Sequence, residues 1–591
     1  MSPVTAHRGI TTGRSPKNTF LLKLSRWMLI LLSLPPVGTS LCRADGWDTH
    51  PETWAATDGL NRTVAENATT GNPKTGKYAG IFYYIWQGQH GTALYDISKI
   101  LAQNPPPWGP AGAFHFRSEP LYGYYKSDDE WVMRKNAQML ADAGVDVIFL
   151  DNTNATTYRD IYLKLCRVYT DIRKAGGKTP QIAFITWSSS GHTVQKLYDE
   201  FYSTGQYKDL WFEWEGKPLI LAKPAELTPA LASFFTVRSS WAWDPGQNKW
   251  PWLEHSPQQG GWTTSPQHIE EMVAETAEHP ISNIGKSFHN GHEPSPNACQ
   301  SGQGLYFAEQ IKRALAVNPQ FLFITQWNEW MAQRFVASGG AATFVGQPLK
   351  PGDTFFVDVY STEFNRDIEP MKGGYQDNYY YQMVDAIRRF KGTRSPESAS
   401  PPTSIPLDDF NAWSNVRPEY RDDVGDVFHR DAVGMDDIHY VNSTGRNDFK
   451  ILKVARSKRA LAFYAETVAP ITPPGGSNWM NLFIGVEGVK SPAWAGFQYR
   501  VQPLSSAPDS PLVLEKFDGV SWNQVAHAPY RMSDNKLVIR IPRSALGLPA
   551  TTACALSFKW ADNMQSEDPT DWIINGDTAP NGRFRYRYLA K

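Results

Sequence analysis

The chain is poor in cysteine, has almost no net charge and lacks a long apolar segment. Its 591 residues include four cysteines, and three of them, Cys166, Cys299 and Cys554, are far apart in the sequence. Such spacing fits neither a disulfide framework nor a cysteine metal site. The 58 basic and 59 acidic residues nearly cancel, so the charge implies no field for nucleic acid or an anionic membrane. We therefore expect no cofactor, no metal ion, no nucleic-acid partner and no membrane span.

The most apolar stretch, Trp27–Leu34, is close to the N-terminus and is too short to cross a bilayer. Basic residues precede it and small residues follow it, up to Ala44. This pattern is typical of a cleaved secretory signal. We predict a signal peptide over residues 1–44, an irregular leader over 45–77, and a mature protein that is secreted or periplasmic.

Length and aromatic residues are what the chain has in abundance. A chain of 591 residues is too long for one ordinary core, so two domains are expected. The 22 Trp, 26 Tyr and 29 Phe favour contact with carbohydrate over contact with phosphate, and a large aromatic core would account for them equally.

Strand-like and helix-like patterns alternate over residues 78–392. The predicted strands are Ala79–Trp86, Val145–Asp151, Gln181–Trp187, Pro218–Ala222, Ser233–Arg238, Ile281–Phe288, Phe321–Gln326 and Thr354–Tyr360. The predicted helices are Glu130–Ala143, Thr156–Lys174, Ser265–Glu278, Gly304–Val317 and Asn378–Lys391. Buried strands that alternate with helices predict an α/β fold, a (β/α)8 TIM barrel.

The pattern changes after a Pro- and Ser-rich linker over residues 393–404. Beyond the linker, short strand patterns with a period of two appear, such as Phe449–Val454 and Lys536–Ile541. We predict a C-terminal all-β sandwich over residues 405–591.

The strongest chemical signal is Glu329, which follows the apolar strand Phe321–Gln326. It stands in the segment Trp327-Asn-Glu-Trp330, so two indoles flank a carboxylate at a strand's carboxyl end. Indoles stack on sugar rings and lower the local dielectric, which raises the pKa of a nearby Glu toward that of a proton donor. We predict that Glu329 is catalytic and that Trp327, Asn328 and Trp330 bind substrate. The alternative is a Glu that holds a loop.

A second carboxylate, Asp151, ends the apolar strand Val145–Asp151. Polar residues at the carboxyl ends of barrel strands line the active site, so Asp151 is the predicted partner of Glu329. A structural Asp that caps the following helix is the alternative interpretation.

Further polar and aromatic residues follow other predicted strands. Tyr84 and Trp86 lie at the end of the first strand, His90 follows it, and Trp187 ends the third. The segment that ends the sixth strand contains Lys286, His289, Asn290 and His292, but no third ligand accompanies the two histidines. Glu363 and Asp358 stand near Arg366, which is a candidate salt-bridge hub. We predict that Tyr84, Trp86, His90, Trp187, Lys286, His289, Asn290 and Glu363 bind substrate, with structural loop contacts as the alternative.

These residues resemble two families of carbohydrate-active proteins. Trp211…Glu215-Gly-Lys-Pro-Leu219 and Trp327-Asn-Glu-Trp330 are similar to motifs of the glycoside hydrolase family 71 and 99 barrels, over roughly residues 78–392. The resemblance implies a catalytic role for Glu329. Family 99 has a second glutamate three residues further on, where this chain has Ala332.

The region after residue 405 resembles family 9 carbohydrate-binding modules. The resemblance rests on Asn478–Ile484, Trp494–Phe497 and Phe558–Asn563. It implies that Trp479 and Trp494 clamp a sugar, although both have neighbours apolar enough for core packing.

Together these features predict a secreted glycoside hydrolase that acts on a polysaccharide or oligosaccharide. Glu329 would be the general acid or acid/base, and Asp151 the nucleophile or base. The alternatives are a non-catalytic glycan-binding protein with a degenerate barrel and a barrel with unrelated hydrolytic chemistry.

Overall fold

A computed structural model describes residues 47–340, 342–475, 478–507 and 510–590. The predicted signal peptide lies outside the described residues. From Trp47 onward the chain forms one compact unit. It contains an α/β half, residues 47–392, and a β-rich half, residues 405–590. In the described ranges, no helix is both long and apolar enough to cross a membrane.

The secondary structure of the α/β half is dominated by strands that alternate with helices. Its strands are β1 (Tyr78–Tyr83), β2 (Phe114–Phe116), β3 (Val147–Asn152), β4 (Gln181–Thr186), β5 (Glu213–Trp214), β6 (Lys217–Leu221), β7 (Thr236–Arg238), β8 (Gly246–Gln247), β9 (Gly261–Trp262), β10 (Glu271–Glu275), β11 (Phe321–Thr325), β12 (Met331–Gln333), β13 (Phe335–Val336), β14 (Thr343–Phe344), β15 (Gln347–Pro348) and β16 (Thr354–Phe355). Its helices are α1 (Asn67–Thr70), α2 (Ile97–Leu101), α3 (Glu130–Ala143), α4 (Arg159–Lys174), α5 (Ser190–Leu197), α6 (Pro229–Phe234), α7 (Leu305–Val317) and α8 (Asn378–Lys391).

Ten of these strands form one sheet in the order β5-β6-β4-β3-β1-β11-β10-β9-β8, with β7 on β6. Most neighbours are parallel, while β5 and β9 pair antiparallel to β6 and β10. Parallel bridges from Ser239 to Lys249 and from Ala242 to Leu253 connect the segments that follow β7 and β8, so the sheet curls. A closed eight-stranded barrel, as predicted from the sequence, is not shown by this sheet.

The inner face of the curled sheet is filled by aromatic and aliphatic side chains. Phe82, Phe149 and Phe323 belong to one buried cluster, and they come from the neighbouring strands β1, β3 and β11. A Cβ on Gly80 would lie 2.5 Å from the Phe321 ring and 2.7 Å from the Phe149 ring, so only glycine leaves room for them. Because side chains alternate along a strand, residues two positions after these point to the same inner face.

Several predicted elements are confirmed and three are wrong. Helices α3 and α8 have the predicted bounds. The predicted helix Ser265–Glu278 is instead strand β10, because Met272, Val273 and Ala274 pair with β11 and are buried in the sheet. The predicted strand Ile281–Phe288 consists of turns and irregular backbone. Only Thr354–Phe355 of the eighth predicted strand is extended, and it pairs with β13 outside the main sheet.

The β-rich half consists of antiparallel sheets. Its strands are β17 (Tyr420–Arg421), β18 (Arg430–Val433), β19 (His439–Asn442), β20 (Phe449–Arg456), β21 (Ala460–Thr467), β22 (Asn481–Val486), β23 (Tyr499–Pro503), β24 (Leu512–Phe517), β25 (Trp522–His527), β26 (Tyr530–Ser533), β27 (Lys536–Pro542), β28 (Cys554–Asp562), β29 (Asp577–Ala579) and β30 (Tyr586–Ala590), and its short helix is α9 (Asp571–Ile574). A five-stranded and a seven-stranded sheet face each other, since Phe463 of β21 and Phe558 of β28 have ring centroids 5.8 Å apart.

The two halves are joined by buried polar contacts. Arg430 of the β-rich half donates to Asp129 at 2.7 Å, where Asp129 also caps the start of α3. Arg583 donates to Asp377 at 2.7 Å, just before α8. Both guanidinium groups are nearly inaccessible to solvent, so each is held in one position by its carboxylate.

Candidate active site

Glu329 lies in the loop after β11, at the carboxyl edge of the curled sheet. Its side chain is buried, and its Oε2 accepts a hydrogen bond from Arg366 Nη2 at 2.7 Å. Burial raises the pKa of Glu329 to about 8, because the opposing effect of Arg366 is smaller and Asp358 and Asp151 add to the rise. A carboxyl group with such a pKa is protonated at neutral pH and is suited to donate a proton.

Arg366 is the fully buried cation of this edge. Besides Glu329 it contacts Asp358 Oδ1 at 3.6 Å, and it donates to Gln326 Oε1 at 3.3 Å. The Asp358 side chain keeps 41% of its surface exposed, whereas that of Arg366 keeps 1%. Arg366 therefore lies between two carboxyl groups. One is the buried Glu329, and the other is Asp358, which is partly exposed to solvent.

Asp151, at the end of β3, is buried and firmly held. Its Oδ2 accepts from Trp86 Nε1 at 2.8 Å, and its Oδ1 accepts from the backbone and hydroxyl of Thr153 at 3.0 and 2.8 Å. Burial raises the pKa of Asp151, and the three hydrogen bonds oppose that rise. Asp151 continues the alternation of Val147 and Phe149, so it lies on the inner face of the sheet.

Tyr84 is affected by the charges of both carboxylates. Burial raises its pKa well above the ordinary value, and Glu329 and then Asp151 are the next largest causes. Among the described residues, its hydroxyl is buried without a hydrogen-bond partner. Asn328 holds the Tyr84 backbone, accepting from its N–H at 2.9 Å and donating to its carbonyl at 3.2 Å. An uncommitted hydroxyl therefore lies at the edge where β1, β3 and β11 end.

One wall of this edge is a group of aromatic rings around Trp86. The Trp86 ring centroid is 4.3 Å from that of Tyr84 and 5.9 Å from that of Tyr158, which is nearly parallel to it. His90 Nε2 and the Tyr158 hydroxyl are hydrogen-bonded at 2.7 Å. Trp86 is half-buried and His90 is exposed, so the structure brings Tyr84, Trp86 and His90 together beside Asp151.

A second aromatic row leads away from Arg366. Arg366 lies 5.8 Å from the Trp252 ring centroid, Trp252 lies 5.7 Å from Trp241, and Trp241 stacks on Trp187 at 4.4 Å. Trp187 and Trp241 are half-buried. Trp187 therefore belongs to a partly exposed indole pair that is joined through Trp252 to the Glu329 site.

The two indoles that flank Glu329 in the sequence do not form a sugar platform, contrary to our prediction. Trp327 and Trp330 are both fully buried. Trp327 packs edge-on against Tyr380 of α8, and Trp330 donates to Glu369 and lies under the Arg117 guanidinium at 4.1 Å. The loop after β11 turns these rings into the core, which leaves no ring face for a ligand.

Four other predicted substrate-binding residues have their contacts elsewhere. Lys286 is fully buried against the Tyr379 ring, and Glu363 accepts from the Ser287 and Ser301 hydroxyls at 2.7 and 2.6 Å. His289 and Asn290 belong to a surface turn, in which the Asn290 N–H donates to Glu309 at 3.0 Å. These contacts shape the loop of residues 285–301, and none of them involves Glu329 or Asp151.

The predicted sugar clamp of the β-rich half is not formed by the structure. Trp479 is fully buried and donates to the Thr472 carbonyl at 2.8 Å. Trp494 is half-buried and packs against Trp572, with ring centroids 5.1 Å apart. One indole is thus in the core between the sheets, and the other lies in a separate aromatic cluster with Phe483.

A further acidic group, next to Arg366, was missed by the sequence analysis. Arg366 donates to the Glu278 carbonyl at 3.3 Å. The Tyr306 hydroxyl lies 3.0 Å from Glu275 Oε1 and 3.3 Å from Glu278 Oε1. Burial, followed by the charge of Glu278, raises the pKa of Glu275 well above its ordinary value. These acids were missed because the sequence predicted a helix over residues 265–278. The apolar run Met272–Ala274, which lies between acids, is the signal for a strand that ends at Glu275.

Comparisons with known proteins give little further help. No family model matches the chain, and no curated protein matches it. Solved structures of a family 99 endo-α-mannosidase from Bacteroides thetaiotaomicron do match. One, in complex with Bis-Tris propane, is 14% identical, with 53% of this chain and 97% of that chain covered and a TM-score of 0.29. The other is 15% identical, with 54% and 98% covered and a TM-score of 0.30. The resemblance to family 9 modules stays a prediction, since no family model matches the chain.

Proposed function

We propose that this protein is a secreted glycoside hydrolase in which Glu329 donates the proton to the departing sugar oxygen. The observation that carries the proposal is a buried carboxyl group with its pKa raised to about 8, at the same strand edge as Asp151 and Tyr84. Secretion rests on the N-terminal pattern of residues 1–44, which lies outside the described residues. N-terminal sequencing of exported protein should begin near Asp45.

Glycoside hydrolysis needs two carboxyl groups with different tasks, one that holds a proton and one that is ionised. Glu329 has the surroundings of the first, because burial outweighs its contact with Arg366. After the proton has left, Arg366 Nη2, at 2.7 Å, stabilises the carboxylate that remains. Glu329 can therefore return to its acid form by taking a proton from water.

Asp151 is our candidate for the second carboxyl group. Three donors, from Trp86 and Thr153, bind its oxygens and favour the ionised form. Retaining enzymes hold the two carboxyl groups about 5–5.5 Å apart, and inverting enzymes about 6.5–9.5 Å apart. The stereochemistry of the product, measured by NMR, would report which of these spacings the site uses.

The remaining groups fit a sugar ring and its hydroxyls. The Tyr84 hydroxyl, which has no hydrogen-bond partner among the described residues, offers a hydrogen bond to a sugar hydroxyl. Trp86 with Tyr158, and Trp187 with Trp241, provide partly exposed rings on which a pyranose can stack. Aromatic rings next to carboxylates are typical of polysaccharide-binding sites.

The experiment compares Glu329→Gln with Glu271→Gln on a panel of polysaccharides and aryl glycosides. Glu271 is an equally buried glutamate at the other end of the sheet, where it pairs in register with Phe321 at the start of β11. General acid assistance contributes about 10²–10⁴-fold, so Glu329→Gln should lose turnover on that scale and keep substrate affinity. Glu271→Gln should retain turnover. Equal activity in the two variants would refute the role of Glu329.

One observation favours a non-catalytic glycan-binding protein instead. Ala332, which stands where the family 99 barrels carry their second glutamate, is buried in β12 beside Ile97 and Phe356. No carboxylate is therefore available at that position. Binding of a glycan by the wild-type protein, with no turnover of any member of the panel, would support this second function.

A further inference from the structure

Four aspartates from separate segments of the β-rich half meet in its interior; we call them the aspartate cluster. They are Asp422 after β17, Asp426 in the next loop, Asp448 before β20, and Asp577 at the start of β29. One carboxylate oxygen each from Asp426, Asp448 and Asp577 lies within 4.8 Å of the other two. Like charges at this distance repel unless something between them compensates.

Each of these three carboxylates is held in place by an N–H donor. Gln138 Nε2 donates to Asp426 at 2.6 Å, the Gly425 N–H donates to Asp448 at 2.8 Å, and the Phe449 N–H donates to Asp577 at 2.6 Å. The second oxygens of Asp426 and Asp448 are buried and have no partner within the described ranges. One oxygen of each group is thus anchored, and the other is left for a ligand.

Asp422 gives an independent indication. Its side chain is fully buried, and neither carboxylate oxygen has a partner in the part of the chain that the structure describes. Its backbone N–H donates to the Lys450 carbonyl at 3.2 Å, two residues after Asp448, so Asp422 lies beside the segment that carries Asp448. A buried carboxylate without any hydrogen bond is costly and requires a compensating group.

No side-chain cation forms a direct ion pair with the cluster. In the described residues, no Lys or Arg lies within ion-pair distance of any of the four aspartates. The charge of buried Lys559 acts on Asp422 and Asp577, but its Nζ makes its hydrogen bond to the Pro580 carbonyl. Lys135 acts on Asp426 and Asp577 only over a distance, as a charge without a direct contact.

We propose that the aspartate cluster is a Ca²⁺-binding site that joins the two halves of the chain. Ca²⁺ prefers six to eight oxygen ligands and accepts several carboxylates, whereas Mg²⁺ keeps most of its waters. Gln138, which anchors Asp426, belongs to α3 of the α/β half, and Asn581 links Asp142 of the same helix to Asp423. Asp423 and Asp426 line a partly open cavity, which gives an ion a route from solvent.

The first test measures the ion directly in the whole secreted chain. After chelation and dialysis, the protein should bind about one Ca²⁺ per chain in calorimetry and in metal analysis, and a matching concentration of Mg²⁺ should not displace it. At a Ca²⁺ concentration ~100-fold above its Kd, the Tm should rise by about 2–3 °C. Absence of stoichiometric binding would overturn the proposal.

Two variants locate the ion. Asp448→Asn should lose Ca²⁺ binding at least about tenfold, whereas Asp431→Asn, an exposed aspartate paired with His439, should bind as the wild type does. Unchanged affinity in Asp448→Asn would refute the site.

If Asp448→Asn does not fold, Tb³⁺ luminescence tests the site through the variant Trp47→Phe. Trp47 Nε1 donates to the Asp422 carbonyl at 2.5 Å, so this indole is next to the cluster. Tb³⁺ bound in place of Ca²⁺ should luminesce on indole excitation, and Trp47→Phe should lower that signal at unchanged Tb³⁺ affinity. Undiminished luminescence in Trp47→Phe would place the ion elsewhere and overturn the proposal.

Discussion

Two groups of buried carboxylates in this chain differ in how their negative charge is compensated. At the strand edge, Glu329 has a buried guanidinium at 2.7 Å and an aspartate, Asp358, that reaches solvent. In the β-rich half, Asp426, Asp448 and Asp577 have anchoring N–H donors and Asp422 has none, and no ion pair involves any of the four within the described residues. A buried charge must be paired, neutralised or bound to a metal ion. The difference therefore separates the site that we propose for proton transfer from the site that we propose for a cation.

The largest effect is expected when the guanidinium is removed. Above about pH 8, where Glu329 is ionised, Arg366→Met should destabilise the protein by about 3–5 kcal/mol, the cost of breaking a buried pair from one side. The loss should grow as the pH rises, because ionised Glu329 then has no partner. Arg389→Met is the matched control, since Arg389 forms a partly exposed pair with Asp385 and should change stability by less than about 1 kcal/mol. If chemical denaturation showed equal losses of stability in Arg366→Met and Arg389→Met, Arg366 would not be the buried partner of Glu329.

The pH dependence of turnover should report the acid form of Glu329. Its pKa is raised to about 8, so the proton is present below that pH and is lost above it. We expect kcat/KM to fall on the alkaline side with a midpoint near pH 8, about tenfold for each further pH unit. The residual activity of Glu329→Gln should lack this limb. An alkaline limb of unchanged midpoint in that variant would assign the titration to another group.

The same raised pKa has a consequence for stability. Between the ordinary pKa of a glutamate and about pH 8, folded Glu329 binds more proton than unfolded Glu329. Its contribution to the free energy of unfolding is therefore complete at low pH and is lost as the pH rises through this window. The difference in stability between wild type and Glu329→Gln should follow that direction in denaturation curves from pH 5 to pH 9.

The smallest expected effect is that of Asp422→Asn on stability, and its sign should reverse when Ca²⁺ is added. In Ca²⁺-free protein, Asp422→Asn relieves repulsion and should raise the free energy of unfolding by about 1 kcal/mol. With saturating Ca²⁺ the same variant should be less stable than the wild type, because a ligand is missing. Asp562→Asn is the control, since Asp562 is a buried aspartate paired with Arg446 at 2.7 Å. It should be destabilising in both conditions, and a destabilised Asp422→Asn without Ca²⁺ would contradict the comparison.

Local patterns were sufficient for part of the fold and for the main candidate carboxylates. The apolar runs that became β3, β4 and β11 are buried along almost their whole length, and such runs are recognisable without tertiary information. Polar residues that directly follow them, such as Asp151 and Glu329, could therefore be named. The acids around β10 could not, because Glu271–Glu275 has helical spacing in the sequence and pairing with β11 overrides that preference.

The direction of individual side chains was the second feature that the sequence did not predict. Trp327, Asn328, Glu329 and Trp330 form one motif, yet only Glu329 lies in the group with Arg366, while the indoles point into the core. A loop that follows a strand has no fixed period, so spacing gives no information about which residues share a face. The same limit applies to Lys286, which donates to the Asp367 carbonyl, and to Glu363, which accepts from the Ser287 hydroxyl.

The sequence by itself determined the alternation of buried strands and helices, the change to short antiparallel strands, and two carboxylates at strand ends. Only the tertiary structure decided that Arg366 pairs with Glu329, 37 residues away, and that carboxylate oxygens of Asp426, Asp448 and Asp577 lie within 4.8 Å of one another. The physical reason is that periodicity records local burial, which each segment carries in its own residues. The pKa of an acid and the need for a cation depend on charges and solvent exclusion that arise only when distant segments pack together.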